Sequence, residues 1–141
     1  MPDLSRILVV ANRTSESPEL LAALRERAEH GPIEVTLVVP ATWEVSDAHG
    51  GIETANRRMC SASERMRGLG IHVAGIVGDP DPFVAFTNAW DPAAYDEVIV
   101  CTLRNRLSEW LKRDLPRRVD QAVGTPVTHI IGTEAGLPLP A

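Results

Sequence analysis

Five short apolar runs rich in valine and isoleucine recur along the chain: Ile7 to Ala11, Ile33 to Val39, Ile71 to Val77, Glu97 to Thr102 and Val127 to Ile131. Most lack strict polar alternation, as expected of strands whose two faces are both covered. The segments between them are long enough for right-handed crossovers and carry helical patterning. The alternation βαβαβαβαβ therefore predicts one doubly wound, three-layer, Rossmann-like α/β domain with a parallel sheet. A length of 141 residues suits one such core and is short for two.

The first helix is expected to open at Ser17-Pro18-Glu19, where serine can accept from free backbone N–H groups and proline already holds a helical φ. Leu20, Leu21, Leu24 and Ala28 form its apolar stripe, and Gly31-Pro32 ends it. Ile52, Ala55, Met59, Ala62, Met66 and Leu69 mark a second helix ending at Gly68-Leu69-Gly70, read as sheet-packing rather than a coiled coil because the repeat is so short. Asp81-Pro82 opens a third, carrying Phe83, Val84, Phe86 and Trp90 and stopping before Asp91-Pro92. The fourth crossover, Asn105 to Gly124, should break at Asp114-Leu115-Pro116, with Asp114 capping the second piece. The domain is expected over residues 1–131, with a loose tail over 132–141 that holds two prolines.

No apolar stretch has the length of a membrane span, and the residues before Ile7 offer no export signal, so a soluble, cytoplasmic chain without membrane contact is expected. Cys60 and Cys101 form no C-x-x-C pair and are read as buried thiols. The net charge of −5 argues against nucleic-acid binding. Charge is uneven, however. Within residues 104–118, six basic side chains face only Glu109 and Asp114, giving that segment +4 and leaving −9 elsewhere.

In an open parallel sheet a ligand sits beyond the carboxyl ends of the strands where the winding reverses. If the first strand neighbours the fourth, that criterion selects Asn12 to Ser17 and Thr102 to Arg106. Each loop also precedes a helix N-terminus, which favours an anion. The candidate ligand residues are therefore Asn12, Arg13, Thr14, Thr102, Arg104, Asn105 and Arg113.

Several landmarks occur in order: the opening Ile-Leu-Val-Val-Ala-Asn12, Gly78-Asp79-Pro80, the strand Asp96-Glu97-Val98-Ile99-Val100, and Thr125-Pro126-Val127. In these, over roughly residues 6–131, the chain resembles the universal stress protein family. The resemblance implies a five-stranded parallel sheet in order 3-2-1-4-5, of the adenine nucleotide α-hydrolase-like type. It also implies a homodimer and, in many members, a bound ATP or other adenine nucleotide without catalytic machinery.

The sequence departs from the family at the phosphate site. Nucleotide-binding members place an aspartate at the end of the first strand and, after the fourth, G-x-x-G, about nine residues, and G-[ST]. Here those positions hold Asn12, Cys101, Arg104 and Asp114-Leu115. Glycines let backbone N–H groups approach phosphate closely, so their loss should close the ordinary triphosphate cradle. Two readings of the basic segment stay open. Arg104, Arg106 and Arg113 can hold a small anionic ligand through guanidinium forks, helped by Thr102 and Asn105, or they can simply decorate a solvated helix face.

Asp79 and Asp81 are read as turn and cap residues, since nothing near them completes an acid–base or metal set. His30, His49, His72 and His129 are scattered without zinc spacing. No G-x-S-x-G, Walker or G-x-G-x-x-G signature is present. The stretch Ala41 to Gly51 is either a lid or a variable surface connection. The leading expectation is a stress-protein-like regulatory or binding module, non-catalytic, with a degenerate nucleotide site that is empty or takes an unusual anion. The alternative is an adenine-nucleotide binder that holds phosphates with arginines. A small hydrolase or transferase of this fold is the third reading.

Overall fold

A computed structural model describes residues 4–41, 51–103 and 114–133. The expected connection at 41–51 and the basic segment at 104–113 fall largely outside the described residues. Five parallel strands, β1 (Ser5–Val10), β2 (Ile33–Pro40), β3 (His72–Gly78), β4 (Glu97–Thr102) and β5 (Val127–Ile131), form one sheet in the order β3-β2-β1-β4-β5. The winding thus reverses between β1 and β4. In register, Leu8 lies opposite Thr36 on one side and Val98 on the other.

Helices α1 (Pro18–His30) and α2 (Gly51–Gly68) cover one face; α3 (Pro82–Ala89) and α4 (Leu115–Ala122) cover the other. Alternate strand residues divide the core between them. Ile7, Val9, Val35, Leu37 and Ile99 pack with Leu20 and Leu24 of α1 and with Ala55, Ala62 and Met66 of α2. Leu8, Val10, Val38, Val98 and Val100 pack with Phe86, Leu115 and Val119. This two-sided burial explains why the strand runs read as nearly continuous apolar stretches.

Helix starts follow local chemistry. Ser17 Oγ accepts from Leu20 N, and Asp81 Oδ1 accepts from Phe83 N at 2.8 Å and Val84 N at 3.3 Å. Asp79 Oδ1 in turn accepts from Asp81 N, so both aspartates serve the turn that launches α3. Asp81→Ala is expected to destabilise the protein by about 1 kcal/mol, read as a lower denaturant midpoint. No change in stability would mean that solvent replaces the cap.

Four expectations need correction. Asp114 stands at the start of α4 but makes no side-chain cap; its φ of 58° is left-handed, and its exposed carboxylate lies 3.9 Å from Arg117. Cys60 is exposed on α2, while Cys101 is buried. α2 ends at Gly68, within the expected Gly68-Leu69-Gly70 stop, but the two ends of its stripe do not pack: Ile52 in the first turn is 67% exposed, and Leu69, whose N–H bonds to Met66 O in the closing turn, is exposed as well. On α1 the inward position after Leu20 and Leu24 belongs to Arg27, not to Ala28, which is exposed. Arg27 follows Leu20 by seven residues, two helical turns, and its Nε and Nη2 donate to the Glu97 carboxylate at 2.6 Å each.

Gly132 and Thr133 open the expected tail. Gly132 N donates to Thr102 O, and the Thr133 N and Oγ1 donate to Glu19 at 3.3 Å. Residues 134–141 lie outside the described residues. Among the described residues no helix is long and apolar enough to cross a membrane.

Candidate functional site

The carboxyl ends of β1 and β4 meet at the switch point, and polar side chains gather there. Among the described residues, the buried polar ones are Asn12, Thr14, Ser15, Ser17, Thr102 and Ser63, and all but Ser63 belong to the ends of these two strands or the loop after β1. Concentrating polar groups under burial is costly unless each finds a partner. Two tight turns, Ser15 N to Asn12 O and Ser17 N to Thr14 O, fold the loop back on itself before α1 begins.

The partners lie inside the protein. Thr14 Oγ1 donates to Cys101 O across the β1–β4 boundary at 3.0 Å. Asn12 Nδ2 donates to Pro40 O at 2.7 Å, tying the end of β1 to the end of β2, and Asn12 Oδ1 accepts from Arg58 Nη1 at 2.5 Å. Thr102 Oγ1 donates to Leu103 O at 2.9 Å and lies 2.8 Å from His129 Nε2. With its hydrogen committed to Leu103, the hydroxyl accepts from the imidazole, so Nε2 carries the proton in this arrangement. Burial holds the His129 imidazolium below its usual range, which favours that neutral ring.

Cys101, near the end of β4, is one of the positions at which the resemblance drawn from the sequence implies glycine. Its Sγ lies 3.7 Å from Ser17 Oγ. A Cβ on Gly132 would come within 2.6 Å of Ser17 Oγ and 3.2 Å of Cys101 Sγ, so the chain leaving β5 presses directly onto this pair. Burial pushes the Cys101 thiol up, against the opposing effect of the Thr14 and Ser17 hydroxyls. A thiol held protonated in the core is a packing group, not a nucleophile.

The candidate residues therefore separate. Asn12, Thr14 and Thr102 converge on the switch point but spend their side-chain hydrogen bonds within the protein. Arg13 is exposed on the same loop. Arg104, Asn105 and Arg113 lie outside the described residues. Sequence reasoning missed Arg58, because topology drew attention to loops and not to α2. A signal was present: Arg58 follows Ala55 by three residues and precedes Ala62 by four, which puts a charge on the buried side of the helix.

A cavity of about 400 Å³ opens at the other end of the sheet, between Ile7, Ile33, Glu26, His30 and the Arg27–Glu97 pair. Its strongest charges are closed on each other, so size alone does not make it the site. Among the described residues no group of three or more His, Cys, Asp or Glu side chains is placed to hold a metal.

The strand order defines a doubly wound α/β domain whose winding reverses between β1 and β4, where the buried polar side chains gather. Its architecture is that of the universal stress proteins. A universal stress protein from Archaeoglobus fulgidus in complex with dAMP superposes with a TM-score of 0.63 at 16% identity, covering 92% of this chain and 99% of that one. A structure of universal stress protein from the same organism gives 0.57 at 18% identity, covering 89% and 93%. One in complex with cAMP gives 0.52 at 19% identity, covering 92% and 98%. No family model matches the chain. No curated protein matches it either.

Proposed function

We propose that the protein is a non-catalytic binding module of the universal stress protein type, whose switch-point crevice takes an adenine nucleoside monophosphate in preference to a triphosphate. The observation that carries this reading is the buried polar cluster at the β1–β4 boundary, in a fold shared with complexes of dAMP and cAMP. The preference for one phosphate follows from the degenerate cradle. Cys101 stands where glycine would let the backbone approach a phosphate chain, and Gly132 packs against the same spot. The non-catalytic part is supported by the inward commitment of Thr14 and Thr102 and by the protonated Cys101.

Calorimetric titration with AMP, ADP and ATP tests the proposal. AMP is expected to bind about tenfold or more tightly than ATP, a difference of about 1.4 kcal/mol. Equal or tighter ATP binding would favour phosphate recognition by the arginines of residues 104–118 instead. If none of the three binds at millimolar concentration, the nucleotide reading fails. Chromatography of ATP and AMP after long incubation should recover both unchanged, and any turnover would overturn the non-catalytic assignment.

A further inference from the structure

We infer that Arg67 closes the outer edge of β3 to strand addition by a second copy of the chain. β3 is an outer strand of the sheet, with β2 on one side only. Its two rows of peptide groups can be told apart. Gly78 O accepts from Ala41 N, just past β2, so Gly78 faces β2. Peptide directions alternate along a strand, so His72, Ala74 and Ile76 also face β2, while Val73, Gly75 and Val77 direct their N–H and C=O outward. At the first of these outward positions Arg67 Nη2 donates to Val73 O at 3.1 Å. The bond follows from how α2 ends. Arg67 lies in the last turn of that helix, and Gly70, with a left-handed φ of 82° that glycine adopts without strain, turns the chain back into β3.

Such an edge needs closing. The strand His72–Gly78 holds no Asp, Glu, Lys or Arg, and Ala74 and Ile76 are exposed on it. An uncharged edge with outward N–H and C=O groups is a template for another chain. Arg67 occupies one of the three outward carbonyls and sets a permanent positive charge beside it. An incoming strand would have to displace the guanidinium or bury it, and burial strips its hydration. Past Val77 the chain turns through Asp79, whose carboxylate accepts from Asp81 N, and Pro80, which has no N–H to offer. The run left for pairing is therefore at most Gly75 to Val77, at the lower limit of strand length.

The test compares the mass of wild type, Arg67→Ala and Arg65→Ala by light scattering from micromolar to millimolar concentration. Arg65 is exposed in the same last turn of α2, so its loss removes the same charge. Either substitution makes the net charge of −5 one unit more negative, which by itself opposes association. Arg67→Ala is nevertheless expected to reach at least about twice the mass of wild type at the highest concentration, while Arg65→Ala follows wild type. In the associated state, amide hydrogen exchange over His72–Gly78 should slow relative to wild type. A wild-type mass for Arg67→Ala overturns the inference, as do equal association of both variants and association without added protection in β3. Should Arg67→Ala lose its native circular dichroism, Arg67→Met, which keeps the apolar stem and loses the donors, is measured in its place; a wild-type mass there overturns the inference.

Discussion

Replacing Phe86 with alanine is expected to lower stability by about 3–5 kcal/mol, seen as a fall in denaturant midpoint at an unchanged slope. Phe86 is fully buried at the centre of the core under α3 and α4, against Leu8, Val10, Val98 and Val100. Its ring lies 6.1 Å from that of Phe83 and 5.8 Å from that of Trp90, and Trp90 stacks on Tyr95 at 6.0 Å. The guanidinium of Arg118 sits 4.2 Å above Phe83, which joins α4 to the same aromatic row. An eight-residue helix has little intrinsic stability, so α3 depends on this packing. Loss of the ring removes the transfer energy and leaves a cavity, because neighbours fixed by the sheet cannot close it. A loss below about 1.5 kcal/mol would show that this layer relaxes freely and would refute the argument. Nucleotide affinity of the folded variant should be unchanged, since α3 and α4 lie on the face opposite α1 and α2.

Strand positions were legible because burial on both sides leaves uninterrupted runs such as Val98 to Cys101, and the proline-marked starts at Ser17-Pro18 and Asp81-Pro82 identified two helix caps. The errors come from treating apolar character as the only sign of an inward position. Ala28 and Ile52 are apolar yet exposed, while Arg27 and Arg58 are charged and turned inward, each held by a partner distant in sequence. Neither Glu97 nor Asn12 is a local neighbour of its arginine, so helical periodicity could not reveal either pair. Asp114 failed as a cap for a related reason: a suitable side chain does not guarantee the extended backbone that capping needs, and its φ of 58° is incompatible with it. Topology pointed to Asn12, Thr14 and Thr102, and the fold brings these three together at the β1–β4 switch point. It could not reveal that their side chains bond to Pro40, Cys101 and Leu103, because those contacts exist only once the strands are side by side.

Glu97→Gln should cost about 1–3 kcal/mol at neutral pH and also flatten the acid limb of the stability profile. The Glu97 carboxylate accepts from Arg27 at 2.6 Å through both oxygens and from Thr128 Oγ1 at 2.7 Å, joining the end of α1 to the starts of β4 and β5. Burial by itself pushes this carboxyl up, but hydrogen bonds from Arg27 and Thr128, with the charge of Arg27, bring it below the usual range. The same carboxylate raises Arg27, which stays cationic throughout. A carboxyl lowered on folding binds fewer protons in the native than in the unfolded state. Its contribution is therefore complete above the unfolded value and declines as pH falls through the folded one. Wild type should lose this increment below about pH 4, where the variant has nothing comparable to lose, so the two stabilities converge in acid. Parallel pH profiles for the two proteins would show that the pair contributes no ionic stabilisation. Because the pair sits at the amino end of β4, opposite the end that carries Cys101 and Thr102, nucleotide affinity at neutral pH should survive the substitution. A variant that loses stability and keeps binding would then separate the ion pair that fixes the strand from the polar cluster at the opposite end of the sheet.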